Sequence, residues 1–239
     1  MTRDLVYGRN AVRELYRGRR EVLETWVTER AARQLPWLEA GPRPRMRPER
    51  ALTEAAGTRD HQGVVAWCEP FRYADADELA AGERPLLVCL DQVTDPRNLG
   101  AIARSAEAAG ATGLVVPAHG SATVTPAVCR ASAGAVEHLP VAIVSNLARY
   151  LAEVKGPHLW AYATDAEGTL AVWDADLADG VALVLGAEGR GVRPLVRRTC
   201  DATIAIPLVG RVGSLNVAVA TGVLLFEALR QRRSASVRS

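Results

Sequence analysis

From residue 86 onward, short and nearly continuous apolar runs alternate with segments of helical spacing. The runs cover residues 86–90, 113–116, 139–144, 159–163, 181–185 and 203–206. Such runs suit strands covered on both faces, hence a parallel sheet. Residues 98–109, 126–133, 147–154, 194–198 and 215–230 read as helices; the last has a long apolar stripe, then a basic end at Arg230, Arg232 and Arg233. This alternation predicts an α/β domain with its site at the carboxyl ends of the strands. Residues 5–68 alternate as well. The spacing predicts a helix over 10–17 with Val12, Leu15 and Tyr16 on one face, a strand over 22–27, a helix over 31–38 interrupted by Pro36, and a strand over 64–68. Two stretches break the pattern. Residues 41–48 carry too many prolines for a helix and read as a loop or short edge strand. Residues 69–85 are acidic and flanked by Pro70 and Pro85, which marks a domain boundary. We therefore expect domains at 1–70 and 85–239 joined by a linker at 71–84.

The chain has 239 residues, 49% hydrophobic and 23% charged, enough to bury a sizeable core. Its longest apolar stretch, residues 217–226, is far short of the roughly 18 residues of a membrane span. Arg3 and Asp4 interrupt any leader-like start, so a cytoplasmic protein with no membrane partner is expected. Cys68, Cys89, Cys129 and Cys200 include no CxxC pair, and Cys68 and Cys89 sit in apolar runs as small hydrophobes. No metal site is expected. The net charge of +2 hides a segregation: residues 1–50 hold 12 Arg and 7 acids, residues 191–239 hold 8 Arg and 2 acids, and the middle is acidic. Clustered Arg neutralises phosphates, which makes nucleic acid a natural partner, although solvated surface charge explains the same counts.

Three loops at strand ends carry candidate chemistry. The first reads DPRNLGAIAR, from Asp95 to Arg104. Asn98 and Arg104 are six apart, about 120° out of alignment on a helix, so they need not act at one point. Arg104 falls on a stripe of Ala and Ile, where a charge is costly unless paired. Asn98 as a helix cap and Arg104 as a surface residue remain open. The second loop, Gly186-Ala187-Glu188-Gly189-Arg190-Gly191, permits close backbone approach to a ligand, or simply makes a tight turn. It is neither a dinucleotide fingerprint nor a P-loop. The third runs from Pro207 to Asn216; Ser214 reads best as the cap of the final helix, which leaves Asn216 unexplained.

Together, DPRNLGAIAR, LVLGAEGRGV (183–192) and IPLVGRVGSLNVAVA (206–220) resemble, in order and spacing, the SpoU (TrmH-type) RNA ribose 2′-O-methyltransferases. YGRNAV at 7–12, HQGV at 61–64 and TPAVCRASAGAVEHLPV at 125–141 resemble the branch acting on 23S rRNA guanosine. Leu208 and Val209 stand where Met and Ala are common in that family. The resemblance implies a SPOUT-type α/β catalytic domain with a C-terminal trefoil knot. It also implies a small N-terminal α/β RNA-binding domain like ribosomal protein L30e, and a homodimer with shared active sites. It implies S-adenosyl-L-methionine as cofactor, held near Gly186, Ile206 and Leu215, with Leu185, Leu208 and Thr164 beside them. Catalytic roles fall to Arg104, at the 2′-hydroxyl or a neighbouring phosphate, and to Asn98, which orients substrate or Arg104. Glu188 would hold an Arg or shape the cofactor loop, and Ser214 and Asn216 would position cofactor and ribose. A guanidinium resists deprotonation, so a phosphate or water is the better proton acceptor. The implied substrate is 23S rRNA in the peptidyl-transferase region, free or in a ribosomal assembly particle; DNA lacks the 2′-hydroxyl. The alternatives are a tRNA or antibiotic-resistance rRNA methyltransferase, or a non-catalytic RNA-binding assembly factor. A nicotinamide-dependent oxidoreductase is disfavoured by the missing glycine fingerprint. His61 and His119 receive no role.

Overall fold

A computed structural model describes residues 2–187 and 189–236. In chain order the elements are β1 (Asp4–Tyr7), α1 (Arg9–Arg17), β2 (Val22–Val27), α2 (Glu29–Ala32), a 3-10 turn (Pro36–Ala40), β3 (Arg45–Met46), α3 (Glu49–Ala56) and β4 (Val64–Cys68). Then come α4 (Ala76–Ala80), β5 (Leu86–Asp91), α5 (Pro96–Ala108), β6 (Gly113–Pro117), α6 (Pro126–Ala131), a 3-10 turn (Ala135–Glu137) and β7 (Val141–Val144). The chain ends with α7 (Leu147–Val154), β8 (Trp160–Thr164), β9 (Leu170–Ala171), β10 (Val181–Gly186), α8 (Pro194–Thr199), β11 (Ala202–Ala205) and α9 (Val217–Ser236). It divides into two compact units: Met1–Arg72 with Val124–His138, and Tyr73–Thr123 with Leu139–Ser239.

The first unit is built on a four-stranded sheet in the order β1-β4-β2-β3. β4 is buried along its whole length: it pairs antiparallel with a strand on each side, and α1 and α3 pack against it. Leu52 of α3 packs with Tyr7, Val65 and Trp67 on one face, and Trp26 meets Trp67 edge-on at 4.6 Å. Val12 and Leu15 of α1 are also fully buried. The helix expected over 31–38 is instead a single turn, α2, and a 3-10 turn that opens on Pro36. The proline has no N–H to donate and disfavours helix in the residue before it, so one helix cannot run through. Residues 45–46 do form a short edge strand. β1 and α3 were not foreseen.

Residues 124–138 complete this unit. Arg20 and Glu137 form a buried pair: Arg20 Nε donates to Glu137 Oε2 at 3.0 Å and Nη2 bonds Oε1. Arg20 Nη1 also reaches Asp4 at 3.3 Å, and its guanidinium lies over the Phe71 ring. A buried charge is tolerable only with such partners. At Gly8, φ is +93°, a conformation L side chains rarely adopt, so the β1–α1 turn calls for glycine, and the Arg130 side chain of α6 occupies the space beside it.

The second unit holds a wholly parallel sheet, β7-β6-β5-β10-β8-β11-β9. Leu87, Cys89, Val115, Ala161 and Val184 share a core with Leu147, Leu151 and Val196 of α7 and α8. Along β5 the residues alternate with these, and α5 and α9 lie along each other and contact β6 and β10. Chain order proceeds outward from β5 through β6 and β7, while β10 enters on the other side of β5. The switch point therefore falls between β5 and β10, where the register sets Asp91 opposite Gly186. α4 lies within residues 71–84; Asp75 caps it, and Tyr150 Oη donates to Ala76 O at 2.7 Å. Among the described residues no helix is long and apolar enough to cross a membrane.

Candidate functional site

A cavity of about 360 Å3 opens at the carboxyl ends of β8, β10 and β11. Its walls come from segments far apart in sequence. Thr164 ends β8, Leu185 and Gly186 end β10, Ile206 and Leu208 follow β11, and Ser214 and Leu215 lead into α9. The structure thus brings together Gly186, Ile206, Leu215, Leu185, Leu208 and Thr164 with Ser214. Asn98, Arg104 and Asn216 do not line the cavity. Glu188 lies outside the described residues.

The glycine loop owes its shape to backbone crowding. A Cβ on Gly186 would lie 1.9 Å from the Gly191 carbonyl carbon. Ala187 and Gly191 form a bridge, and Gly191 N donates to Ala187 O at 2.9 Å. Gly189 and Gly191 hold φ of +75° and +65°, a region L side chains avoid. The bridge closes the loop at the end of β10, and Gly186, Ala187, Gly189, Arg190 and Gly191 line the cavity. Thr164 is fixed by its Oγ1, which donates to Val184 O at 3.1 Å.

Asp91 and Arg193 close the far end of that loop, an arrangement the sequence reading missed. The Asp91 side chain is fully buried. Its Oδ2 accepts from Arg193 N at 2.8 Å, and its Oδ1 accepts from Arg193 Nε at 2.8 Å with Nη2 at 2.7 Å. One oxygen thus takes both guanidinium N–H groups and the other the backbone N–H, all charge-assisted by the carboxylate. The available signal was an Asp terminating an apolar strand. Asp165, on the cavity wall, pairs with Arg197 of α8 at 2.9 Å.

The helix caps correct two readings. Asp95, not Asn98, caps α5: its side chain accepts from Arg97 N at 2.8 Å, with Pro96 in the first turn. The helix therefore starts earlier than residue 98. Asn216, not Ser214, caps α9: its Oδ1 accepts from Ala218 N at 2.9 Å and Val219 N at 3.3 Å. Both asparagines then meet. Asn216 Nδ2 donates to Asn98 Oδ1 at 3.1 Å, across 118 residues of sequence. This amide pair stands beside Ser214 and Leu215 at the rim of the cavity. Arg104 is exposed and makes no hydrogen bond or ion pair among the described residues. It lies about 9 Å along α5 from Asn98, so the expected burial on an apolar stripe does not occur; its face of α5 is open to solvent.

The basic C-terminal end is partly structural. Arg232 donates to the carbonyls of Arg84 and Pro85 at 3.0 Å, and burial lowers its pKa. Arg230 pairs with Glu227. His61 is buried: its Nδ1 accepts from Gly63 N at 3.0 Å and its Nε2 faces Thr53 Oγ1 at 3.0 Å. His119 is exposed.

A parallel sheet with a loop-built, mostly apolar cavity at the carboxyl ends of β8, β10 and β11 is the arrangement of an α/β protein with a small-molecule site. Residues 85–226 match the model of the SpoU rRNA Methylase family, and residues 5–74 match that of RNA 2′-O ribose methyltransferase substrate binding. The chain belongs to the SpoU rRNA methylase family. It is 39% identical to the putative TrmH family tRNA/rRNA methyltransferase YacO of Bacillus subtilis, over 96% of each chain. It is 40% identical to the 23S rRNA (guanosine-2′-O-)-methyltransferase RlmB of Vibrio cholerae, over 97% of this chain and 98% of that one. Among solved structures it resembles the SpoU methyltransferase AviRb of Streptomyces viridochromogenes in complex with AdoMet, with a TM-score of 0.81, 30% identity, and coverage of 96% of this chain and 90% of that one.

Proposed function

We propose that the protein transfers the methyl group of S-adenosyl-L-methionine to the ribose 2′-hydroxyl of a guanosine in 23S rRNA, in the peptidyl-transferase region. One observation carries the reading: the ends of β8 and β10 and the segment from Ile206 to Leu215 converge on a single cavity, and Asn216, next to Leu215, bonds Asn98 of the first loop. The similarity to the Vibrio cholerae 23S enzyme, which extends through both units, supports the substrate. The cavity residues fit the cofactor. Leu185, Ile206, Leu215, Val217 and Leu224 offer apolar walls to an adenine, and the glycines at 186, 189 and 191 offer main-chain polar groups with no side chain in the way. When bound, the sulfonium supplies an electrophilic methyl.

The chain's own residues then align and stabilise. The Asn98–Asn216 pair fixes the start of α5 against the start of α9 and so sets the position of the segment that carries Ser214 and Leu215. Ser214 offers a hydroxyl at the cavity wall. Arg104 supplies a cation to the 2′-oxygen as negative charge develops on it. A guanidinium does not give up its proton readily, so a phosphate oxygen or water accepts the one released. Holding the two reactants in line contributes up to about 7–11 kcal/mol. Arg104 stands clear of its own chain's cavity, which favours a homodimer in which each copy's Arg104 serves its partner's cavity. The exposed Val219 and Phe226 on α9 give such a dimer an apolar surface. The placing of β10 and β11 between earlier strands favours a C-terminal trefoil knot, and the mixed sheet with flanking helices favours an L30e-like RNA-binding unit. The natural substrate is free 23S rRNA or an assembly particle, in the cytoplasm.

The test incubates the protein with labelled S-adenosyl-L-methionine and undermodified ribosomal RNA and maps 2′-O-methyl positions by nuclease-resistance sequencing. A single new 2′-O-methylguanosine in 23S rRNA, lost in Arg104→Ala, is expected. A signal in tRNA or at another rRNA position would replace the substrate. RNA binding without any transfer would leave a non-catalytic assembly factor.

A further inference from the structure

The first unit carries a cavity of its own, about 790 Å3, between the start of α2, the β3–α3 turn and the loop before β4. Arg9, Arg30, Arg47 and Arg59 stand around it, with Glu29 and Glu49. The balance of charge is more one-sided than that count. Glu29 is paired with Arg33 on the same helical turn. Arg30, Arg47 and Arg59 are exposed and have no acidic partner among the described residues, whereas Arg17, Arg50 and Arg72 nearby in sequence are each ion-paired. Three guanidinium forks are therefore open to an anion.

Two of the four are oriented in advance. Arg9 donates from Nε to Gln62 O at 3.1 Å and from Nη2 to Gln34 Oε1 at 2.8 Å, while its backbone N–H bonds Gln62 Oε1 at 3.0 Å. These partners are neutral, so they aim the charge without cancelling it. Arg47 lies over the Trp26 ring at 5.3 Å. The wall itself is pinned by His61. Burial lowers its pKa, so the ring is neutral and accepts from Gly63 N while its other nitrogen bonds Thr53. That holds Gln62 at φ +55°. Beside the arginines, Met46 is 57% exposed on the edge strand, an unbranched apolar side chain facing open space.

We propose that this cleft receives an unpaired nucleotide of the substrate RNA other than the methylated one, with flanking phosphates on Arg30, Arg47 and Arg59 and its base against Met46. The inference rests on the reading of the substrate as RNA. A concave site roomy enough for a nucleotide and its flanking phosphates, with two oriented cations and one apolar contact, suits a splayed base; duplex RNA presents a wide, shallow groove and paired bases. The cleft thus selects RNA shape in a unit that holds no residue of the methyl-donor cavity.

The experiment uses the full chain and two RNAs, a 23S rRNA fragment with an unpaired loop around the methylated position and a fully paired duplex of equal length. In Arg30→Ala/Arg47→Ala/Arg59→Ala, the slope of log affinity against log salt for the loop RNA should fall by about 2, from about 0.7 per lost single-strand phosphate contact. The KM for RNA should rise at least about tenfold, with kcat at saturating RNA and S-adenosyl-L-methionine affinity retained. A charge-matched control, Arg17→Ala/Arg72→Ala/Arg149→Ala, removes only ion-paired arginines and should leave the slope within about 0.5 of the parent. Met46→Ala should weaken the loop RNA and spare the duplex. Equal behaviour of the two triple variants, or equal loss on both RNAs in Met46→Ala, overturns the proposal. So does a triple variant that keeps its RNA affinity but loses affinity for an Asp/Glu-rich peptide, which would assign the cleft to a protein partner. Binding slopes are read without catalysis, so a parent protein that methylates no RNA refutes the proposed activity and leaves the cleft separately testable.

Discussion

Asp91→Asn is the sharpest probe of the glycine loop. The Asp91 carboxylate is buried at the end of β5 and accepts three N–H groups of Arg193, the residue just past the loop that walls the cavity proposed for the cofactor. Asparagine keeps the shape but turns one acceptor into an NH2 donor. In either orientation a donor then faces an Arg193 donor, and the neutralising charge is gone. Breaking one side of a buried pair costs about 3–5 kcal/mol. The Arg193 side chain is 47% exposed and rehydrates when released, so the low end, about 3 kcal/mol, is the better figure. If all of it came out of loop order, the competent fraction and the apparent affinity would fall by about 150-fold. The Ala187–Gly191 bridge still holds the near end of the loop, so we expect S-adenosyl-L-methionine to bind about 10–100-fold more weakly by titration calorimetry. Arg193→Lys keeps charge without the fork and should recover only part. Cofactor affinity within twofold of the parent in Asp91→Asn would refute the claim that this anchor shapes the cavity.

Four other outcomes follow. Asn216→Ala should cost about 1 kcal/mol as a lost cap, and its coupling to Asn98→Ala in a double-mutant cycle should be about 0.5–1.5 kcal/mol; additive effects would deny the amide contact. Mixing Arg104→Ala with Asn216→Ala should restore methyl transfer that neither variant shows alone, because a mixed dimer retains one intact site; no recovery, with subunit exchange verified, would place Arg104 in its own chain's site. The hydrogen bond from Arg230 holds the Glu227 carboxyl below its usual pKa. Its stabilisation is therefore complete above about pH 4.5 and lost as pH falls further, so Glu227→Gln should flatten the acid fall in Tm. Burial pushes the thiols of Cys68, Cys129 and Cys200 up to about 12, so native protein at pH 8 should resist iodoacetamide that labels the same cysteines in denaturant.

The parallel sheet was legible because its strands are buried on both faces and read as uninterrupted apolar runs; 147–154 is the helix its spacing predicts. The cavity residues were legible through family motifs, not through spacing, since nothing local says that Thr164 and Leu215 share a wall. Asp91 and Arg193 were not, because a strand-ending aspartate with a partner 102 residues away leaves no periodic trace. The Asn98–Asn216 contact is invisible for the same reason. β1 is only four residues long and β3 two, too short for alternation to register.

The return of residues 124–138 to the first unit also sets a schedule for the chain's birth. On a translating ribosome the first 72 residues emerge well before Glu137, the partner that Arg20 awaits. About 66 further residues must follow, which takes roughly 3–13 s at common elongation rates of 5–20 residues per second. During that interval the sheet of β1, β2 and β4 stands without α6, and a guanidinium destined for burial has Asp4, the Glu69 carbonyl and the Phe71 ring to meet it but not its buried carboxylate. The N-terminal unit is thus first in the sequence, and cannot be the first part finished.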